Sequence, residues 1–392
     1  MLYSINQIKK AGKTLINEQN NEMALKILSY WRSEHEKPLR ESSNFIEKYL
    51  KKHFKYDYIL AHRLKRTPSI IKKLKRFHTN GMQLSTMQDI GGCRVILNDI
   101  LSVNKIIKIL TNSGKLETRN NYILIPKEDG YRSIHLTGIF SSRIIEIQVR
   151  TKIQHSWATA VEIVDLFTKQ SIKHNKGEDV WKDFFKQSSI VLDYLEKCLL
   201  DNFNLLSKNK LKIDIKTQER LDKYFNKEIH NALNKVSDYA KSLEIIKQFK
   251  IFTSSLTETS NIINTHKVTN EYLLLHISKD TEKKYILECQ IYSKNQYIIA
   301  EEKYINLEKE TINSKTDTVA LISTSKIEDI KDAYPNYFAD STIFSNLISL
   351  IVGIADDKKK KEEKELRIFN NQLPENFNSK YLDLFQTLDI KT

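Results

Sequence analysis

The stretch Arg143-Ile144-Ile145-Glu146-Ile147-Gln148-Val149-Arg150-Thr151 alternates apolar and polar side chains from Ile145 onward. Successive side chains of a β-strand point to opposite faces, so Ile145, Ile147 and Val149 share one face while Glu146, Gln148 and Arg150 share the other. The apolar face has to be core. The polar face presents a carboxylate, an amide and a guanidinium in a row, with neighbours about 7 Å apart. Such a row could hold a metal ion, a hydroxyl and a phosphate. It reads equally as a strand face with ordinary cross-strand pairs.

Around this strand, further strands are expected at Cys93–Leu97, Tyr122–Ile125 and Ser133–Thr137, with a helix around Val103–Leu110. Upstream, Ala24, Ile27, Leu28 and Trp31, then Phe45, Tyr49 and Leu50, have helical spacing on either side of Pro38. Pro68 opens a further helix, with Ile70, Ile71, Leu74 and Phe77 on one stripe and Lys72, Lys73, Lys75 and Arg76 beside it. Downstream, helices are expected at Ala158–Phe167 and Val180–Leu206, then a charged helical connector over 207–245. Strands at Tyr272–Ile277, Tyr285–Tyr292, Gln296–Ala300 and Thr318–Thr324 follow, with short helices at Ile327–Ala333 and Thr342–Val352 and a solvated charged tail from Asp356. This pattern is α+β: a mixed β-sheet core flanked by helices, with a second small α/β unit.

The net charge of +14 over 392 residues is uneven. Residues 1–170 hold 29 Lys+Arg against 15 Asp+Glu, whereas residues 171–392 hold 34 against 34. Ten cations stand against one acidic residue between Lys51 and Arg76. A block this basic suggests a polyanionic partner, nucleotide phosphates or a nucleic-acid backbone, although lysines on solvated helix faces produce the same count. Cys93, Cys198 and Cys289 lie too far apart for a CxxC zinc site or a disulfide framework, and read as small buried residues. No apolar run has the length of a membrane span, and Met1–Asn17 lacks a secretory leader's apolar stretch and cleavage site, so a cytoplasmic protein without a membrane partner is expected.

Three more segments could carry chemistry. In Pro126-Lys127 and Gly130-Tyr131-Arg132-Ser133-Ile134-His135, Tyr131 offers a flat ring for a base, Lys127 and Arg132 offer charge to phosphate, and His135 can donate; a turn whose tyrosine caps the core edge fits as well. Asp89, ahead of Gly91, Gly92 and Arg94, suits a magnesium ligand at a strand end or a plain turn cap. Arg63, Lys65, Arg66 and Ser69 precede or open a helix whose first amides are free, which makes either a phosphate site or a solvated basic turn.

Taken in order, RLKRTPS (Arg63–Ser69), DIGGCR (Asp89–Arg94), PKEDGYRSIH (Pro126–His135), EIQVRT (Glu146–Thr151) and QHSWATAVE (Gln154–Glu162) resemble the RelA/SpoT nucleotide pyrophosphokinase family over roughly residues 60–165. The resemblance implies a synthetase core that moves diphosphate from ATP to a 3′-hydroxyl, with AMP leaving. It assigns Arg63, Lys65, Ser69 and Lys73 to the donor ATP, and Asp89 and Glu146 to Mg²⁺. It makes Glu146 the general base and Tyr131 the platform for the acceptor base, while Lys127, Arg132, His135, Gln148 and Arg150 orient the acceptor and the phosphates. Glutamate of ordinary pKa is ionised at neutral pH and competent for that role. No His-Asp dipeptide occurs and no large helical domain precedes residue 60, so no hydrolase activity is expected.

Beyond that core, Tyr334-Pro335-Asn336-Tyr337 resembles the YxxY element of the CapRel-like fused toxin–antitoxin branch of small alarmone synthetases, and WRSEHEKPL (Trp31–Leu39) suits the same branch. The resemblance implies a C-terminal regulatory, pseudo-zinc-finger unit that covers the active site, Tyr334 and Tyr337 competing with adenine. It also implies a phage capsid protein as activator and the 3′-CCA end of tRNA as acceptor; guanine or adenine nucleotides are the alternative acceptors. Both tyrosines also fit as core residues of the small unit. The expected divisions are 1–60 (N-terminal helices), 61–170 (pyrophosphokinase core), 171–245 (connector), 246–355 (regulatory unit) and 356–392 (tail).

Overall fold

The computed structural model describes residues 2–55, 57–168, 172, 178–198, 225–254, 256–258, 272–279, 285–311, 314, 317–324 and 333–362. Three helices, α1 (Ile5–Asn17), α2 (Glu22–Ser33) and α3 (Glu36–Phe54), lead into strand β1 (Tyr58–Leu64) and helix α4 (Thr67–Phe77). Then come β2 (Gly91–Leu97), α5 (Ile100–Asn112), β3 (Leu116–Asn121), β4 (Ile134–Phe140), β5 (Arg143–Thr151) and α6 (Lys152–Thr168). The remainder comprises α7 (Asp179–Cys198), α8 (Lys227–Ser242), α9 (Ile245–Ser254), β6 (Leu256–Glu258), β7 (Tyr272–Lys279), β8 (Tyr285–Tyr292), α10 (Tyr297–Thr311), β9 (Thr318–Thr324) and α11 (Thr342–Glu362).

The nine strands among the described residues form one mixed sheet in the order β3-β4-β5-β2-β1-β9-β7-β8-β6, with β2–β5 and β6–β8 parallel. The strands of the C-terminal unit therefore continue the first sheet through β9, which pairs antiparallel with β1 at Ala61–Thr324, His62–Ser323 and Arg63–Ile322. Ile145, Ile147 and Val149 are fully buried in a core shared with Leu39, Ile46 and Leu50 of α3 and Val103, Ile106 and Leu110 of α5. That packing fixes the register of β5, because a one-residue slip would turn Glu146 and Gln148 into the core. A second core joins α6, α7, α8, α9 and α11. Helix α6 starts directly at the end of β5, where Thr151 and Gln154 exchange backbone-to-side-chain hydrogen bonds (3.1 and 3.2 Å) as a capping box.

Several elements depart from the expectation. Tyr122–Ile125 is a turn, and β3 lies just before it. The Asn121 carboxamide oxygen accepts from the amides of Ile123 and Leu124 (both 3.1 Å) and ends the strand. Gln296–Ala300 opens helix α10, because Ser293 and Gln296 form a capping box. Strand β1 occupies a segment that reads as helix and basic turn; β2 and β9 bury it from both sides. Helix α11 runs to Glu362, ten residues past Val352. The expected helix at 327–332, the end of the expected helix at 199–206, the connector over 207–224 and the tail beyond 362 lie outside the described residues.

Candidate active site

The polar face of β5 is the floor of a cleft that crosses four strands. Glu146 lies beside Gly92 of β2 and Thr137 of β4, Gln148 beside Arg94 and His135, and Arg63 of β1 beside Gly92. Gly92 leaves the middle of this floor bare: a Cβ there would find only the Glu146 carbonyl oxygen, 3.8 Å away.

On one side, a hydrogen-bonded chain runs through the groups expected to handle the acceptor. His135 Nδ1 lies 3.1 Å from Glu146 Oε1, His135 Nε2 lies 3.0 Å from the Tyr131 hydroxyl, and Gln148 Nε2 donates to Glu146 Oε2 (2.8 Å). A carboxylate only accepts, so Nδ1 of His135 carries the proton and Nε2 is left to accept from Tyr131. Burial works against ionisation of Glu146. The hydrogen bonds from His135 and Gln148 outweigh it, so the carboxyl sits below the ordinary glutamate range although the Asp89 charge opposes this. Tyr131 is half-buried, edge-on to His135 and to Tyr122, and Lys127 Nζ stands 4.9 and 4.6 Å from the ring centroids of Tyr131 and Tyr122.

Arg132 is the exception among the expected acceptor residues. Its guanidinium pairs with Asp193 (3.2 Å) and donates to Ser189 Oγ (3.1 Å) and the Ile123 carbonyl (3.0 Å), which braces the loop against α7. Gly130 serves the same packing. Its φ of +95° needs glycine, and the close approach it permits is to α7, where a Cβ would meet that of Ser189 at 2.9 Å.

The other side of the cleft is strongly cationic. Lys65 and Lys73 both donate to Asp89 Oδ2 (3.0 and 2.7 Å), and they hold the Asp89 carboxyl below the ordinary range against the opposing effect of burial. Ser69 stands one turn before Lys73 on α4. The Glu162 charge is felt at Arg63 and at Arg150; burial, and then the Arg94 charge, lower the Arg150 guanidinium to about 9. For Arg63, burial is outweighed by Tyr337, Glu162 and Tyr334, which raise it.

Both C-terminal tyrosines meet these cations. The Tyr337 hydroxyl accepts from Arg63 Nη1 (2.6 Å), and the Arg63 guanidinium lies 5.6 Å from the Tyr334 ring centroid and 5.9 Å from that of Tyr337. Arg94 lies 5.3 Å from the Tyr334 ring and donates to the Ala333 carbonyl (2.7 Å). Both tyrosines are buried: they pack with Ile59, Ala61 and Ile96 and lie against the arginines.

Asp89 and Glu146 are the candidate cation ligands. Asp89 Oδ1 is buried without a hydrogen-bond partner, its charge is felt at Glu146, and carboxylate oxygens suit a hard cation, so the donor set fits magnesium. Among the described residues no group of three or more His, Cys, Asp or Glu gathers to hold a metal, so phosphate and water oxygens would complete the shell.

Sequence reasoning gave no role to Tyr122, Arg94 or Glu162. Arg94 carried a usable signal, since it alternates with Gly92 on a strand whose other face is core. Tyr122 and Glu162 reach the site through a turn and a helix face that no local pattern marks.

Residues 62–165 match the region found in RelA / SpoT proteins. The site just described lies within it, apart from the two tyrosines and Ala333. Over 108 residues the chain is 32% identical to the GTP pyrophosphokinase YjbM of Bacillus subtilis (strain 168), covering 25% of this chain and 51% of that protein. Over 157 residues it is 28% identical to the GTP pyrophosphokinase YwaC of the same organism, covering 35% and 70%. The chain thus spans about half the length of the first of these relatives. The small alarmone synthetase 1 of Bacillus subtilis, solved bound to its product pppGpp, aligns with 24% identity over 43% of this chain and 93% of that chain at a TM-score of 0.34. That overlay is too loose to place a ligand. No described helix is long and apolar enough to cross a membrane.

Proposed function

We propose that this protein is an ATP-dependent pyrophosphokinase that transfers diphosphate to a 3′-hydroxyl. The observation that carries the reading is the hydrogen-bonded row Tyr131–His135–Glu146–Gln148 facing the Lys65, Lys73 and Asp89 cluster across a bare glycine floor. In this reading Glu146 takes the proton as the acceptor oxygen bonds to the β-phosphorus of ATP. The bridge to the α-phosphorus breaks and AMP leaves with the bridging oxygen. His135 fixes the carboxylate, Tyr131 and Tyr122 offer ring faces to the acceptor base, and Lys127 and Gln148 orient the acceptor. Arg63, Lys65, Ser69, Lys73, Arg94 and Arg150 contact the donor and offset charge as two anionic partners approach. A magnesium ion held by Asp89 and Glu146 would add charge neutralisation between donor and acceptor.

The acceptor in this proposal is the 3′-CCA end of tRNA, and the protein is a self-inhibited antiphage toxin that stops translation when a phage capsid protein lifts its C-terminal unit. The basic run from Lys51 to Arg76 supports an extended RNA partner. Contact of Tyr334 and Tyr337 with Arg63 and Arg94 supports self-inhibition. The second reading, an alarmone synthetase acting on guanine or adenine nucleotides, is favoured by the names of the two relatives.

Incubation with ATP labelled on its terminal phosphates, deacylated tRNA, GDP and GTP separates the two. Labelled tRNA is expected, most strongly with the capsid protein present. Label on GDP or GTP alone would establish the second reading and remove the first.

A further inference from the structure

Glu308 lies on α10, far from the candidate catalytic strands in sequence, yet its carboxylate sits on the amino end of α4. Glu308 Oε1 accepts from the Thr67 backbone amide at 2.9 Å, and the side chain is only 8% exposed. The Thr67 amide is among the first in a helix of eleven residues whose N-cap, Arg66, offers no side-chain acceptor. Free amides and the helix dipole there favour an anion.

The carboxylate is held by more than that amide. Tyr304, fully buried one turn earlier on α10, donates its hydroxyl to Glu308. The Arg32 guanidinium lies 4.2 Å from the Tyr304 ring centroid, its charge couples to Glu308, and its Nε donates to the Lys65 carbonyl at 2.8 Å. Lys65 and Thr67, both in the segment assigned to the donor, are thus tied to one helix of the C-terminal unit through a closed path. A buried carboxylate is costly unless paired, so its presence among Arg32, Tyr304 and the α4 amide needs a compensating arrangement of this kind.

We infer that Glu308 stands in for a donor phosphate at the amino end of α4 and forms a second lock on the donor site, one that acts on phosphates while Tyr334 and Tyr337 act on the base. The inference rests on the proposed donor site and deepens it. Its two locks come from different elements, Glu308 from α10 and the tyrosines from the segment after β9, and both elements belong to the C-terminal unit. An activator that lifts this unit withdraws the carboxylate and the rings together. ATP has to displace both, and inorganic polyphosphate only the first.

Titration calorimetry on the full chain tests this with two probes, inorganic tripolyphosphate and adenosine. Glu308→Ala and Glu308→Gln are expected to tighten tripolyphosphate about tenfold and leave adenosine unchanged. Tyr334→Ala combined with Tyr337→Ala is expected to do the reverse. The glutamine variant is nearly isosteric, and retained circular dichroism certifies its fold should the alanine variant not fold. Unchanged tripolyphosphate affinity in a folded Glu308 variant would overturn the inference. An equal gain for adenosine would do so too, because it would signal general loosening. If tripolyphosphate tightens as expected but the labelled-acceptor assay shows no transfer, the pyrophosphokinase reading fails and the carboxylate lock stands.

Discussion

On the acceptor side of the cleft, Tyr131, His135, Glu146 and Gln148 come from one loop and two adjacent strands and bond to one another. On the donor side, Arg63, Arg94 and the amino end of α4 bond to groups 239 to 274 residues away. The first arrangement is set by strand register and is present whenever the sheet is. The second depends on contacts with residues of the C-terminal unit. Under the proposed function, this division would leave the acceptor row in place and put control at the donor.

The sharpest way to break the comparison is Glu146→Gln, which keeps the shape of the acceptor row and removes its charge. Transfer is expected to fall about a thousandfold, measured as labelled product, with binding of a non-hydrolysable ATP analogue retained. Activity near that of the parent would mean the row is only a structural pairing. Tyr334→Ala with Tyr337→Ala tests the other side. Analogue affinity should rise about tenfold by calorimetry, and an unchanged value would make the tyrosines core residues and nothing more. A smaller effect concerns the wall behind the acceptor loop, where buried Glu196 accepts from Gln154 (2.8 Å). Burial raises its carboxyl from 4.5 to about 7. The folded state therefore binds this proton more tightly between those values, and stability falls as pH rises through them. Glu196→Gln removes that loss, so at pH 8 it should be more stable than the parent by about 2 kcal/mol in urea melts, with no advantage near pH 4.

The comparison also explains what was legible in the sequence. Period-two alternation in Ile145–Val149 identified β5 and its polar face, and the ordered motifs brought Asp89, Lys65, Lys73, Tyr131, His135 and Glu146 to one cleft. These are local or nearest-strand relations. What local pattern missed was set by context: β1 is a strand because β2 and β9 pair with it, and Arg132 turns to α7 because Asp193 and Ser189 wait there. Some errors were avoidable. Ser293 with Gln296 is a capping signal that marks α10 as a helix, and Asn121 is a turn former that ends β3. Glu308 had no local signal at all, since only the packing of α10 brings it to Thr67.

The central claim is that diphosphate moves as one unit from ATP onto the acceptor. ATP labelled at its β-phosphate, given to the variant lacking both Tyr334 and Tyr337 rings together with tRNA and guanine nucleotides, tests it most directly. The account predicts acceptor carrying the label and AMP formed in equal amount. Release of ADP with free phosphate, or label that never leaves the adenine nucleotide pool while the variant is folded and binds ATP, would contradict it.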